Sequence, residues 1–259
     1  MKASALFLSL ALAAGPVAAQ KATSAPPPLT QVDPENLVVF DTTKGRVIVE
    51  LEPAIAPLHV ERTRKLVRKR YYDDNVFYRV LAGDFVQTGE KQVGGDPRSG
   101  EGEIKSEAVF TPATAPVLVD PKSGFVGDMP VLLDPDGKAY VRYCTGMAAT
   151  AQYAAADSGD AQIFLTMSPA KHLERTFTAW GKVLSGLEAM KAMAPGEPPA
   201  QPDRVLKARI AADIPVAERP KVFIAARGTP AFDAAMAKAR EDWGPALQVC
   251  MVNLPVEVR

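Results

Sequence analysis

An arginine stands inside an aromatic-rich apolar stretch, Val76-Phe77-Tyr78-Arg79-Val80, and a glutamine, Gln87, falls in the next apolar run. Arginine is permanently charged, and its planar fork donates hydrogen bonds to a polarised atom. On an apolar strand it is uncommon unless the guanidinium has a task or a partner. Two readings follow from the residues alone. Arg79 either faces a ligand, or it is an edge-strand arginine paired with a surface carboxylate.

The elements that must position it are two short strands. Val76–Val80 and Asp84–Thr88 read as strands joined by the turn residues Ala82-Gly83. Strict alternation puts Val76, Tyr78 and Val80 on one side and Phe77 and Arg79 on the other. Gln87, on the neighbouring strand, then shares a shallow surface with Arg79 beside an aromatic ring.

This stretch resembles the cyclophilin family of peptidyl-prolyl cis-trans isomerases, whose signature runs Phe-His-Arg-Val-Ile-Pro-Gly-Phe-Met-x-Gln-Gly-Gly. Phe77, Arg79, Val80, Gly83, Gln87 and Gly89 match in register. Tyr78 replaces the His and Ala82 the Pro, while Asp84 and Phe85 fall where Phe and Met stand. Further segments carry the same likeness. Leu37–Asp41 and Val47–Leu51 flank the hairpin signature Thr42-Thr43-Lys44-Gly45. A helix is expected from Pro57 to about Arg70. Met147-Ala148 with Gln162 and Phe164 match the family's second half-site, Ala149 replacing its usual Asn or Arg. Trp180-Gly181-Lys182-Val183, followed at the right spacing by Gly186, is the most specific match. Arg204–Ile210 reads as the strand that closes a barrel.

The resemblance implies a mainly β fold: a closed eight-stranded antiparallel barrel capped by two helices, with a small α/β C-terminal extension. It implies isomerisation of an Xaa-Pro bond in a peptide or unfolded chain. Arg79 would be catalytic, donating to the proline nitrogen, with its fork held by Gln87. Phe85, Phe164, Leu173 and Phe177 would form the proline pocket. Gln87 and Gln162 would orient the arginine or the substrate backbone, and Ala148 and Ala149 would line the backbone-binding strand. Asp84 is expected either to pair with Arg79 and compete with substrate, or to yield its place to the Phe85 ring. His172, just before Leu173, is read as an exposed loop residue, since this reaction needs no proton shuttle. The rival reading is a catalytically weak cyclophilin-like scaffold acting as a chaperone-type binding module. A hydrolase is poorly supported, for no nucleophile elbow or Ser/His/Asp arrangement can be read.

Residues 1–19 read as a cleavable export signal: Met1-Lys2, the apolar run Ala5 to Ala14, then Val17-Ala18-Ala19. That run is too short to span a bilayer, so stable membrane insertion is not expected, and the protein should act in the periplasm or outside the cell. Residues 20–35, with Pro26-Pro27-Pro28, read as a flexible Pro-rich leader. The cyclophilin-like domain is placed at 36–214, with 110–143 as an inserted hairpin-like flap that could lie near the site. Residues 215–259 are expected to pack on the core, with strands at Val222–Ala226 and Leu247–Val252 around a helix at Ala231–Trp243.

Lys+Arg and Asp+Glu are 30 each, which gives no footprint for nucleic acid. The basic run Arg62, Arg64, Lys65, Arg68, Lys69, Arg70 is read as a solvated face, with an acidic or lipid partner as the lesser reading. No metal or cofactor is expected, because the cysteines and histidines show no zinc spacing. Cys144 and Cys250 are the only two cysteines, and an oxidising compartment would let them pair. The alternative is two separate buried thiols. A monomer is expected.

Overall fold

The computed structural model describes residues 25–259. The proposed signal and the start of the leader lie outside these residues. From the N-terminus run β1 (Thr30–Gln31), β2 (Leu37–Thr42), β3 (Gly45–Leu51), α1 (Pro57–Arg68), β4 (Val76–Leu81) and β5 (Phe85–Glu90). A separate sheet follows: β6 (Val117–Asp120), β7 (Ser123–Val126), β8 (Met129–Leu133) and β9 (Ala139–Val141). Then come β10 (Met147–Thr150), β11 (Ile163–Thr166), β12 (Ala179–Ser185), α2 (Leu187–Lys191) and β13 (Val205–Ile210). The tail holds β14 (Val222–Ile224), α3 (Pro230–Trp243) and β15 (Val256–Val258).

Eight strands form one antiparallel sheet in the order β13-β2-β3-β12-β10-β11-β5-β4. Its two ends meet across a short seam. Val205 N–H donates to Asn75 O at 2.9 Å and Phe77 N–H to Asp203 O at 2.8 Å, so the barrel is nearly closed. Closure removes the exposed edges that would otherwise template aggregation. The interior is apolar, built from Phe40, Val49, Phe77, Val86, Leu165 and Trp180.

Pro57 starts α1, where a missing N–H costs nothing. The Glu107 carboxylate caps this end, accepting the Leu58 and His59 N–H groups, each at 3.1 Å. The buried face is His59, Val60, Thr63, Leu66 and Val67. The helix ends earlier than expected, at Arg68. Tyr71 N–H bonds back to Leu66 O and Arg70 N–H to Val67 O, with Arg70 at φ +57, a Schellman stop. Four of the six residues in the basic run have ion-pair partners among the described residues. Arg62 pairs with Asp160 at 2.7 Å, Lys65 and Lys69 with Glu101, and Arg68 with Glu35 at 2.8 Å and Asp213 at 3.0 Å. Lys65, Arg68, Lys69 and Arg70 are exposed, while Arg62 and Arg64 are half-buried.

Three expectations change. The leader enters the fold at Thr30, where β1 pairs with β14 and Val32 buries against Leu37 and Val222. The insertion is a four-stranded sheet, not a hairpin-like flap. Its Phe125 packs edge-on against Phe232 of α3, ring centroids 5.5 Å apart, together with Leu247, Val249 and Val252. Residues 247–252 form no strand; Val249–Met251 is a 3-10 turn whose Val249 is buried in that cluster. Cys250 sits in the turn and joins Cys144, Cα atoms 5.5 Å apart. A side-chain cluster and a crosslink, with no ladder partner, hold the segment, so its apolar residues carry no strand.

Glu50 on β3 lies opposite Lys182 on β12, with Lys182 Nζ 3.4 Å from its carboxylate. That ammonium donates instead to Asp128 O at 2.9 Å, leaving Glu50 Oε2 without an aligned donor. Burial raises the Glu50 pKa from the ordinary 4.5 to about 7, with nearby Asp128 and Glu52 adding to the shift. The folded state therefore holds a proton that the unfolded chain has lost, and stability falls as pH rises from about 4.5 through 7. The cumulative loss attributable to Glu50 is about 3 kcal/mol. Thermal melts between pH 4.5 and 8 should show this decline in the wild type, and Glu50→Gln should flatten it. An equal slope in the variant would assign the effect to other groups.

Candidate functional site

The register of four neighbouring strands places the key positions in one row. Arg79 lies opposite Gln87, Gln87 opposite Phe164, and Phe164 opposite Ala149. Residues directly opposite in an antiparallel ladder point to the same face. Ala148 pairs with Leu165, which faces the barrel interior beside Phe40 and Phe77. The Ala148 methyl therefore points inward, and this residue presents only backbone on the Ala149 side.

Strict alternation fails on β4. The β4–β5 register slips between Phe77 and Arg79, a bulge at Tyr78. Phe77 and Val80 both enter the interior, while Tyr78 and Arg79 are both left half-buried on the outside. Two residues lie between these positions of the same face, where strict alternation allows only an odd number, so an inserted residue is required. Gly83, at φ +76, allows the tight turn into β5, which Asp84 N–H closes on Leu81 O at 2.9 Å.

The outer face carries an aromatic cluster. The Phe164 ring meets Phe85 at 5.8 Å and Phe177 edge-on at 5.5 Å, and stacks on Tyr143 at 6.3 Å. Leu173 is buried in the same cluster. Tyr143 also donates its hydroxyl to Phe177 O at 2.9 Å, fixing the loop that bears Leu173 and Phe177. Phe85 and Phe164 keep only 7% and 4% of their surface, so the apolar site is shallow.

The Arg79 guanidinium lies over the Phe85 ring, 4.8 Å from its centre. The one-residue shift that lets Phe85 supply the ring is thus the arrangement present. Asp84 makes no ion pair among the described residues; its carbonyl accepts Met167 N–H at 2.5 Å. Gln87 does not hold the arginine. Its amide donates to the Tyr78 hydroxyl, which burial keeps neutral by raising its pKa well above the usual phenol value. Gln162 likewise turns to Glu90, donating at 2.9 Å. Gly89, at φ +135, makes room for it, since a Cβ there would stand 2.7 Å from Gln162 Cα. Arg79 instead pairs through Nε with Glu197. The reading of Arg79 as paired with a surface carboxylate is therefore met. His172 is exposed.

Sequence reasoning missed Glu197, Tyr143 and Tyr78. Glu197 stands 118 residues from Arg79 in a Pro-rich turn, with no local signal. Tyr143 falls at the end of the expected insertion, 110–143, and its ring stacks on Phe164. Tyr78 did carry a signal: it occupies the position of the family's histidine.

An antiparallel barrel whose outer face sets an arginine beside an aromatic surface has the architecture of a prolyl isomerase. The family Cyclophilin type peptidyl-prolyl cis-trans isomerase/CLD matches residues 37–210, and the chain belongs to that family. A probable peptidyl-prolyl cis-trans isomerase of Brucella suis is 30% identical over 186 residues, 70% of this chain and 85% of the relative. Peptidyl-prolyl cis-trans isomerase B of Bacillus subtilis is 29% identical over 154 residues, covering 59% and 86% of the two chains. The crystal structure of cyclophilin AquaCyp293 from Hirschia baltica superposes with a TM-score of 0.77 at 29% identity, over 89% of this chain and 93% of that one. That span is wider than the 37–210 domain, so it takes in residues beyond it.

Phe177 is the half-exposed wall of the cluster, so its loss should weaken peptide binding without unfolding the barrel. Phe177→Ala is expected to raise KM for an Xaa-Pro peptide about fivefold and to cost about 2 kcal/mol of stability. Steady-state kinetics and a urea melt would check both; an unchanged KM would remove Phe177 from the binding surface.

Proposed function

We propose that this protein accelerates cis–trans isomerisation of Xaa-Pro bonds in exported polypeptides, and that Arg79 is its catalytic donor. Amide resonance sets the uncatalysed barrier at about 18–20 kcal/mol. Exchange therefore takes tens of seconds or longer, slow enough to limit folding. No covalent step is needed. As the bond twists, the proline nitrogen becomes pyramidal and gains a lone pair. A fixed cation that donates a hydrogen bond to it stabilises the twisted amide more than either planar isomer.

The observation that carries this reading is the placement of the Arg79 guanidinium on the Phe85 ring, at one end of the Arg79–Gln87–Phe164–Ala149 row. Proline would rest on Phe85, Phe164, Leu173 and Phe177, with its nitrogen toward the fork. The substrate is a proline-containing peptide or an unfolded exported chain, and the working form is a monomer. A weak scaffold or chaperone-type module is the second reading. It is favoured by Asp84 at a family ring position and by the missing amide at Ala149.

NMR exchange spectroscopy on short Xaa-Pro peptides separates the two. Wild type should accelerate exchange, and Arg79→Ala should lower that acceleration at least tenfold while peptide binding persists. No acceleration across a panel of Xaa residues would favour the binding module.

Export is supported by the signal-like residues 1–19 and by the Cys144–Cys250 crosslink, which closes a loop of 106 residues. In the chain-entropy model a loop of that size contributes about 5 kcal/mol. Protein recovered from the periplasm should have an intact mass starting at Gln20 and no free thiol under denaturing conditions. A retained N-terminus or two titratable thiols would refute the assignment.

A further inference from the structure

In this structure Arg79 is held by a residue outside the strand pair that carries it. The only hydrogen-bond and ion-pair partner of its side chain among the described residues is Glu197, reached through Nε. Gln87, directly opposite Arg79, has its amide on Tyr78. We propose that Glu197 is the positioning residue for Arg79, taking the orienting role that Gln87 does not fill. The proposal rests on reading Arg79 as the donor.

Geometry supports a brace and not a block. The contact uses Nε, at the stem of the guanidinium, so both terminal amino groups of the fork are left without a protein partner among the described residues. The ring of Phe85 lies against the guanidinium, 4.8 Å from its carbon to the ring centre. A carboxylate at Nε and a ring on one face together restrict the remaining rotation and leave the donors open to a substrate atom.

The loop that delivers Glu197 is itself anchored on the strand of Arg79. Gly196 and Val80 exchange two backbone hydrogen bonds, 2.9 and 2.8 Å. Val80 is the neighbour of Arg79, so the carboxylate is registered to the guanidinium through the backbone. Gly196 adopts φ +150, and a Cβ on it would stand 2.5 Å from Pro199 Cα, so the tight return of the loop excludes a side chain there. Pro198 follows Glu197 and narrows its backbone choices. Downstream, Asp203 accepts Ala194 N–H at 2.8 Å and the Thr43 hydroxyl at 2.7 Å, tying both ends of the loop to the barrel.

The pair is half exposed, with 41% of the Arg79 side chain and 47% of the Glu197 side chain accessible. Solvent-exposed pairs contribute little to stability. Losing Glu197 should therefore leave the melting temperature nearly unchanged and act on the orientation of the arginine.

The test compares wild type, Glu197→Ala, Glu197→Gln and Arg79→Ala with one Xaa-Pro peptide. Glu197→Ala should lower kcat about fivefold with KM within twofold, at an unchanged melting temperature. Glu197→Gln still accepts from Nε and should recover activity to within twofold of wild type. In 15N NMR spectra, the Arg79 Nε–H should be protected from solvent exchange in wild type and in Glu197→Gln, and lose that protection in Glu197→Ala. Activity in Glu197→Ala equal to or above wild type would overturn the positioning role. Full activity in Arg79→Ala would instead remove the donor reading, and this proposal with it.

Discussion

The bulge at Tyr78 is the constraint on which the site depends. Side chains on a strand have a period of two, so a slip of one residue exchanges the two faces of a sheet. Phe77 is needed inside the barrel, and Val80 is needed there as well. Without an inserted residue one of them would face solvent. The extra residue at Tyr78 satisfies both and leaves Arg79 outside, opposite Gln87. The same bulge turns the Tyr78 hydroxyl to the Gln87 amide, which takes that amide away from the arginine. Placement of the cation and the need for a different brace thus follow from one backbone irregularity.

Local signals made much of the fold readable. The Thr42–Gly45 hairpin, the Pro57 helix start and the Gly83 turn each rest on residues whose backbone chemistry is specific at short range. The row of site residues was readable because the family pattern spans β4, β5, β10 and β11. What escaped was set by long-range packing. A bulge has no composition of its own, and strict alternation gave the wrong face for Phe77 relative to Val80. Leu247–Val252 has the composition of a strand, but its apolar side chains bury against Phe125 and Phe232, where no free edge is offered. Glu197 gives no signal, because nothing in a Pro-rich turn indicates which strand it will meet.

The insertion and the tail pack together behind the aromatic cluster. The tail packs on the outer face of β2 and β3 through Val222 and Ile224. Helix α3 packs on the insertion through Phe232. The chain then leaves the insertion at Tyr143, whose ring stacks on Phe164 and whose hydroxyl holds the Phe177 carbonyl. The next residue, Cys144, is crosslinked to the tail. Arg142 pairs with Glu174 at 3.0 Å, and Arg175 with Asp134 at 2.6 Å, so the loop bearing Leu173 and Phe177 is fastened to the insertion on two further sides. On the proposed reading, a shallow apolar surface does not enclose the proline, so its rigidity would come from behind, through these contacts.

The departures from the family pattern at this site are coupled. Asp84 removes one ring, and Phe85, next along the chain, stands beneath the arginine instead. Tyr78 in the histidine position reaches Gln87 and occupies its donor. Arg79 would then keep only the face of Phe85 to orient it, and cation–π attraction at an exposed site is worth about 0.5–1 kcal/mol. That is too little to hold a flexible side chain in one rotamer, because an arginine carries about 2 kcal/mol of rotamer entropy. A charge-assisted hydrogen bond supplies the missing restraint, and among the described residues only the Glu197 carboxylate makes it. The substitutions at 78, 84 and 85 and the acid at 197 therefore read as one altered arrangement around an unchanged arginine.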